Sequence, residues 1–106
     1  MRGDLANLPE IVPLAKKYNA RILIDDAHGF GVMGATGRGT PEYFNLTKEI
    51  DLYFGTFAKA FAAIGGVTAG PKEVIEYIRF NARTNVFAKS LPTIYVDTLD
   101  ETLNEI

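Results

Sequence analysis

The sequence contains no cysteine, which excludes disulfide bonds and thiolate metal sites. It holds one histidine, His28, so a multi-histidine metal site cannot form within the chain. Neither sign of charge dominates: thirteen acidic residues oppose eleven basic ones, for a net charge of -2. That balance points to neither nucleic acid nor an anionic membrane as partner. No apolar run approaches the roughly 20 residues that cross a bilayer, so this segment is not expected to insert stably into a membrane. No secretory leader opens the sequence, and a cytoplasmic setting is the expectation. What is present is an ordinary globular composition, 47% hydrophobic and 23% charged, in 106 residues. That is near the size of one small domain.

The hydrophobic periodicity alternates between helix and strand. Asn7-Leu8-Pro9-Glu10 reads as a helix start, with Asn7 as cap and Pro9 in the first turn. Leu8, Ile11, Val12, Ala15 and Tyr18 follow at helical spacing, and Asn19 is a stop signal. Arg21-Ile22-Leu23-Ile24 is a short apolar run ending abruptly in Asp25-Asp26, the pattern of a buried strand in a parallel α/β sheet. Gly29, Gly31, Gly34, Gly37 and Gly39 mark a loop, after which Thr40 can cap a short turn through Phe44. Asp51-Leu52-Tyr53-Phe54 and the glycine-bounded stretch Gly65 to Gly70 are two more strand candidates. Between them, Gly55 to Ile64 is irregular and carries Lys59. Pro71 opens a helix with Val74, Ile75, Ile78 and Ala82 on one face. A last helical stripe runs from Pro92 through Ile94, Tyr95, Leu99, Leu103 and Ile106. Three short strands with four helices make a thin sheet for a self-sufficient domain. Residues 1–106 are therefore expected to be one incomplete segment of a larger α/β domain.

Three constellations carry chemistry. In the first, Asp25-Asp26-Ala27-His28, Asp25 stands at the carboxyl end of a strand, where ligands of open α/β sheets bind. A carboxylate there can keep a pyridine nitrogen protonated, as a pyridoxal phosphate enzyme requires, and His28 can contact the cofactor or a substrate carboxylate. Equally, Asp25 or Asp26 caps a loop and His28 is an ordinary loop residue; the motif alone leaves both readings open. The second is Gly55-Thr56-Phe57-Ala58-Lys59, where a hydroxyl three residues before a lysine can reach a phosphate. Apolar neighbours on both sides of Lys59 favour the neutral, nucleophilic amine; the alternative is a lysine reaching from a helix into solvent. The third is Phe87-Ala88-Lys89-Ser90-Leu91-Pro92. Ser90 reads first as the cap of the final helix, and it can also donate to a phosphate. Arg79 and Arg83 read as a solvated helix face. Arg38, between two glycines, is placed to hold its loop through a carboxylate or to meet a partner subunit.

In this order and spacing, the three constellations resemble the α-oxoamine synthases. These pyridoxal-phosphate-dependent enzymes include serine palmitoyltransferase, 8-amino-7-oxononanoate synthase, 2-amino-3-ketobutyrate CoA ligase and 5-aminolevulinate synthase. The resemblance runs from Gly3-Asp4 and Leu8-Pro9-Glu10 through Gly31-Val32-Met33-Gly34, Gly37-Arg38-Gly39 and Gly65-Gly66 to Ser90-Leu91-Pro92. It implies the large domain of a fold-type I, aspartate-aminotransferase-like enzyme: three layers around a mixed, mostly parallel sheet. It implies that Lys59 carries pyridoxal 5'-phosphate as a Schiff base and that Asp25 pairs with the pyridine nitrogen. His28 would contact the ring hydroxyl and help place the substrate carboxylate, and Thr56 would lie near the phosphate. Ser90 would reach the cofactor phosphate of the neighbouring subunit in a homodimer. The family reaction joins an amino acid to an acyl-CoA, usually with loss of CO2. The Gly-Thr-Phe-x-Lys form leans toward the bacterial serine palmitoyltransferases. Ala58, Ala88 and Thr93 depart from the glycine, hydroxyl and second proline that many members carry. No match is present for the upstream phosphate loop, the residue that stacks on the cofactor, or the C-terminal domain, and Met1 matches an internal methionine. The isolated chain is therefore expected to be catalytically inert. Two alternatives stand beside this reading: an aminotransferase or lyase of the same fold type, and a non-catalytic piece that dimerises or packs.

Overall fold

The computed structural model of the chain describes residues 3–105. Met1 and Ile106, the end of the predicted last stripe, lie outside them. Helix α1 spans Leu8–Lys17, directly after Asn7. Asn7 occupies the cap position, but its side chain makes no capping hydrogen bond, so the cap is positional only. The predicted stop at Asn19 is realised as a left-handed residue at φ 50°, a conformation asparagine tolerates at helix ends. Strand β1, Leu23–Asp25, lies parallel to β2, Leu52–Thr56, and β3, Gly66–Ala69, pairs antiparallel with β2. The sheet is thus mixed, with order β1-β2-β3 and β2 in the middle.

The core lies in two clusters. Leu8 and Val12 of α1 pack on Ile22, just before β1, and Ile24 within it, with Phe44, Ile50 and Tyr53 at the margin. Of the predicted α1 stripe, Ile11 and Tyr18 stay exposed. The second cluster is Phe61, Ala63 and Leu99, flanked by Phe30, Phe57 and Tyr95. It joins the segment around Lys59 to the last helix.

Three expectations are corrected. Thr40 does not cap a turn: Gly39 holds the cap position of the short helix α2, Thr40–Tyr43, and the Thr40 hydroxyl is engaged elsewhere. The helix after Pro71 stops earlier than its apolar pattern suggests. Helix α3 covers Lys72–Asn81, Ala82 turns extended at ψ 116°, and a separate helix α4 covers Arg83–Phe87. Arg79 and Arg83 are both exposed, but on different helices. Ser90 does not cap the final helix either, because α5 begins three residues later and spans Thr93–Glu105. Five α-helices are therefore seen among the described residues where four were expected.

Candidate active site

Parallel strands carry their side chains to alternate faces. Ile22 and Ile24 point into the first core cluster, so Asp26 follows them inward and Asp25 points away. Burial agrees: Asp26 is 7% exposed, whereas Asp25 is exposed and its Oδ1 accepts the Ala27 N–H at 3.2 Å. Asp25 pairs in register with Phe54 on β2. Thr56 ends β2 two residues further on, which puts the two Cα atoms on the order of 8 Å apart at the same sheet end. Asp25 and His28 line a cleft of about 520 Å³ together with Ile24, Gly29, Met33 and the Gly3–Ala6 stretch. His28 itself is exposed. Thr56 and Lys59 lie outside this cleft.

Lys59 stands in the loop that leaves β2. The Thr56 hydroxyl shapes the start of that loop, donating to the Gly65 carbonyl at 3.2 Å and accepting the Ala58 N–H at 3.2 Å. The Phe57 N–H donates to Gly65, and the loop closes on itself through Ala62 N–H to Lys59 O and Ala63 N–H to Phe57 O. The apolar residues around Lys59 divide. Phe61 and Ala63 are buried and Phe57 is half-buried, whereas Lys59 is exposed. Apolar neighbours in sequence thus anchor the loop and do not enclose the amine.

Phe30 ties the two loops together. Its ring lies 4.7 Å from Phe61, 6.2 Å from Phe57 and 6.1 Å from Tyr53, centroid to centroid. It also lies over Gly55, where a Cβ would approach Phe30 to 2.6 Å, so only glycine allows this contact. Gly31 is pressed in the same way against Ala60 and Phe61. The Asp25–His28 turn and the Lys59 loop are packed as neighbours through these contacts.

Several organising residues escaped the sequence reading. The Asp26 carboxylate accepts the Thr40 N–H at 2.6 Å, the Thr40 hydroxyl at 2.6 Å and the Tyr53 hydroxyl at 3.0 Å. The Tyr53 phenol is pushed above its usual range, first by burial and then by the negative charge of Asp26, so it stays protonated as a donor. The signal was available, since Ile22, Ile24 and Asp26 share one parity and hence one face. Asp51 similarly ties the strand starts, accepting from Ile22 N–H at 2.8 Å and Arg21 at 3.0 Å.

The carboxylate beside Arg38 is Glu42. Glu42 holds the loop, accepting the Thr36 hydroxyl at 2.7 Å and the N–H groups of Thr36 and Arg38. The Thr36 hydroxyl, those two N–H groups and the Arg38 charge hold the Glu42 carboxyl below its ordinary range against a smaller opposing effect of desolvation. Ser90 is exposed. Its neighbour Leu91 packs against Gly65, which brings the Ser90 segment beside the loop of Lys59.

The family model described as "Aminotransferase class I and II" matches residues 1–106, and the chain belongs to that family. Among its relatives is a serine palmitoyltransferase of Bacteriovorax stolpii, 49% identical over the whole chain but only 25% of the relative. An 8-amino-7-oxononanoate synthase of Petrotoga mobilis is 53% identical over 86% of the chain and 23% of its own length. Among solved structures, a serine palmitoyltransferase from S. paucimobilis with bound PLP-myriocin aldimine superposes with a TM-score of 0.91 at 36% identity. That match covers 99% of this chain and 26% of that one. The α-oxoamine synthase resemblance and the fold-type I architecture read from the sequence are borne out. The chain spans about a quarter of the length of the relatives it matches. Among the described residues, no helix is long and apolar enough to cross a membrane.

Proposed function

We propose that the chain is the central piece of the large domain of a longer pyridoxal-phosphate-dependent acyltransferase, which condenses an amino acid with an acyl-CoA, usually with decarboxylation. The observation that carries this reading is the convergence of Asp25 and Thr56 at the carboxyl end of one parallel strand pair, with Lys59 three residues beyond. The donor set fits the cofactor. Lys59 is the one primary amine of the set, the group that bonds covalently to an aldehyde. Asp25 supplies a carboxylate facing a cleft of about 520 Å³, within the size range of cofactor sites.

When bound, pyridoxal phosphate supplies a pyridinium ring that withdraws electrons from the α-carbon of an amino acid. Asp25 would hold the proton on the ring nitrogen, and His28 would orient the ring hydroxyl and the substrate carboxylate. Thr56 would face the phosphate. Ser90 would reach a cofactor phosphate across a homodimer interface. Lys59 would hold the cofactor through Nζ. The N-terminal part and the C-terminal domain of the enzyme lie outside this segment in the proposed arrangement, so the segment alone is inert. The enzyme is placed in the cytoplasm.

Borohydride reduction in the presence of pyridoxal phosphate, followed by peptide mapping of the longer polypeptide, is expected to find the pyridoxyl group on Lys59. Lys59→Ala should abolish it; a label mapping to another lysine overturns the assignment. Acyl-CoA-dependent release of CO2 from serine, glycine or alanine then separates the acyltransferase from an aminotransferase or lyase.

A further inference from the structure

We infer that Tyr53 is a positioning residue for the turn that carries Asp25 and His28. The inference rests on the reading of that turn as cofactor-facing. Asp26 follows Asp25 directly, and its carbonyl accepts the N–H groups of Gly29 and Phe30, closing the turn around His28. Two of the three donors to the Asp26 carboxylate come from Thr40, at the far end of a glycine-rich loop. The third comes from Tyr53, on the central strand, which is paired on both sides. Tyr53 is thus the side-chain link from that carboxylate to the sheet.

The same residue holds the turn a second time. Its ring meets Phe30 edge-on at 6.1 Å. The hydroxyl fixes the turn at Asp26 and the ring fixes it at Phe30, so the two contacts bracket His28. Burial and the Asp26 charge keep the phenol protonated, and the donor is not lost at any physiological pH. Without the hydroxyl, the Asp26 carboxylate keeps only its two Thr40 donors; the Asp26 N–H still donates to the Phe54 carbonyl at 2.9 Å, so the backbone stays on the sheet while the side-chain brace of the turn around His28 is lost.

The test uses the longer polypeptide loaded with pyridoxal phosphate. Tyr53→Phe should still take the borohydride label at Lys59. Its cofactor affinity should fall by about three- to tenfold, only a part of the worth of one hydrogen bond to a charged group, because Tyr53 acts through the turn and not on the cofactor itself. The visible circular dichroism band of the bound cofactor, which reports ring tilt, should weaken. Ile22→Val, in the α1 core cluster, should lose stability and leave both readouts unchanged. Phe30→Leu, which removes the Tyr53 ring contact together with those to Phe57 and Phe61, should move both in the same direction and serves if Tyr53→Phe does not fold. Wild-type affinity and an unchanged band in Tyr53→Phe overturn the inference. If the unsubstituted protein takes no label at Lys59, the functional reading fails instead. The His28 ring resonance in the cofactor-free protein then still decides: a shift in Tyr53→Phe supports the positioning role, and no shift overturns it.

Discussion

The Tyr53 hydroxyl donates to Oδ2 of Asp26 at 3.0 Å, joining the middle strand of the sheet to the residue that follows the candidate cofactor carboxylate. Because Asp26 is buried, its charge is tolerable only with partners, and it has three. The loop between residues 29 and 39 folds back so that its last glycine rests against this network. The candidate functional face of the chain is therefore assembled around a buried acid whose carboxylate is taken up by Thr40 and Tyr53.

Gly39 makes the first prediction. Its φ of 98° and ψ of -171° lie in a region essentially reserved for glycine. A Cβ there would run into the Asp26 carboxylate and the Tyr53 ring. Gly39→Ala is expected to cost more than about 2 kcal/mol, combining backbone strain with the displaced hydrogen bonds. Urea denaturation of the folded protein measures it, and a loss under about 1 kcal/mol contradicts the account.

Ala62 points the other way. It sits at φ 49°, in the left-handed region, three residues after Lys59. Relief of that conformation is worth about 1–1.5 kcal/mol, and glycine gives back about 0.4–1 in unfolded-chain entropy. Ala62→Gly should thus raise stability by about 0.5 kcal/mol. A fall in the denaturation midpoint would show that the Ala62 methyl contributes packing that outweighs the strain.

The pH dependence of the loop follows from Glu42. Its carboxyl is held below the ordinary value of 4.5, chiefly by the Thr36 hydroxyl. A depressed folded-state value means the contribution is complete above pH 4.5 and is lost as pH falls through the lowered value. The amide resonances of Thr36 and Arg38 should hold steady down to about pH 4.5 and move only below it. Glu42→Gln should remove the transition; a midpoint above 4.5 reverses the sign and refutes the assignment.

Much of this protein was written in local pattern. Glycine clusters, the Ile22–Ile24 run and the helical stripes that start at Leu8 and Val74 report backbone preference and short-range periodicity, and these are properties of neighbouring residues; only the first stripe buries residues, Leu8 and Val12, whereas α3 buries none. The spacing of Asp25, His28, Thr56 and Lys59 named a chemistry for the same reason. Other features were not local. Which of two adjacent aspartates is buried depended on what packs against the strand. That α3 breaks at Ala82, and that Ser90 lies outside the last helix, was set by backbone geometry that no propensity in the segment demanded.

The sequence by itself determined most of the chain's elements and the identity of its candidate reactive groups, because side-chain chemistry and short-range periodicity are carried in the order of residues. Only the tertiary structure decided how those groups are held. Asp26 meets Thr40 across 14 positions and Tyr53 across 27. Phe30 likewise bridges to Phe57 and Phe61 through contacts made when separate loops close at one end of the sheet. Partners so distant are chosen by packing and by the need to satisfy a buried charge, and those conditions exist only once the chain has folded.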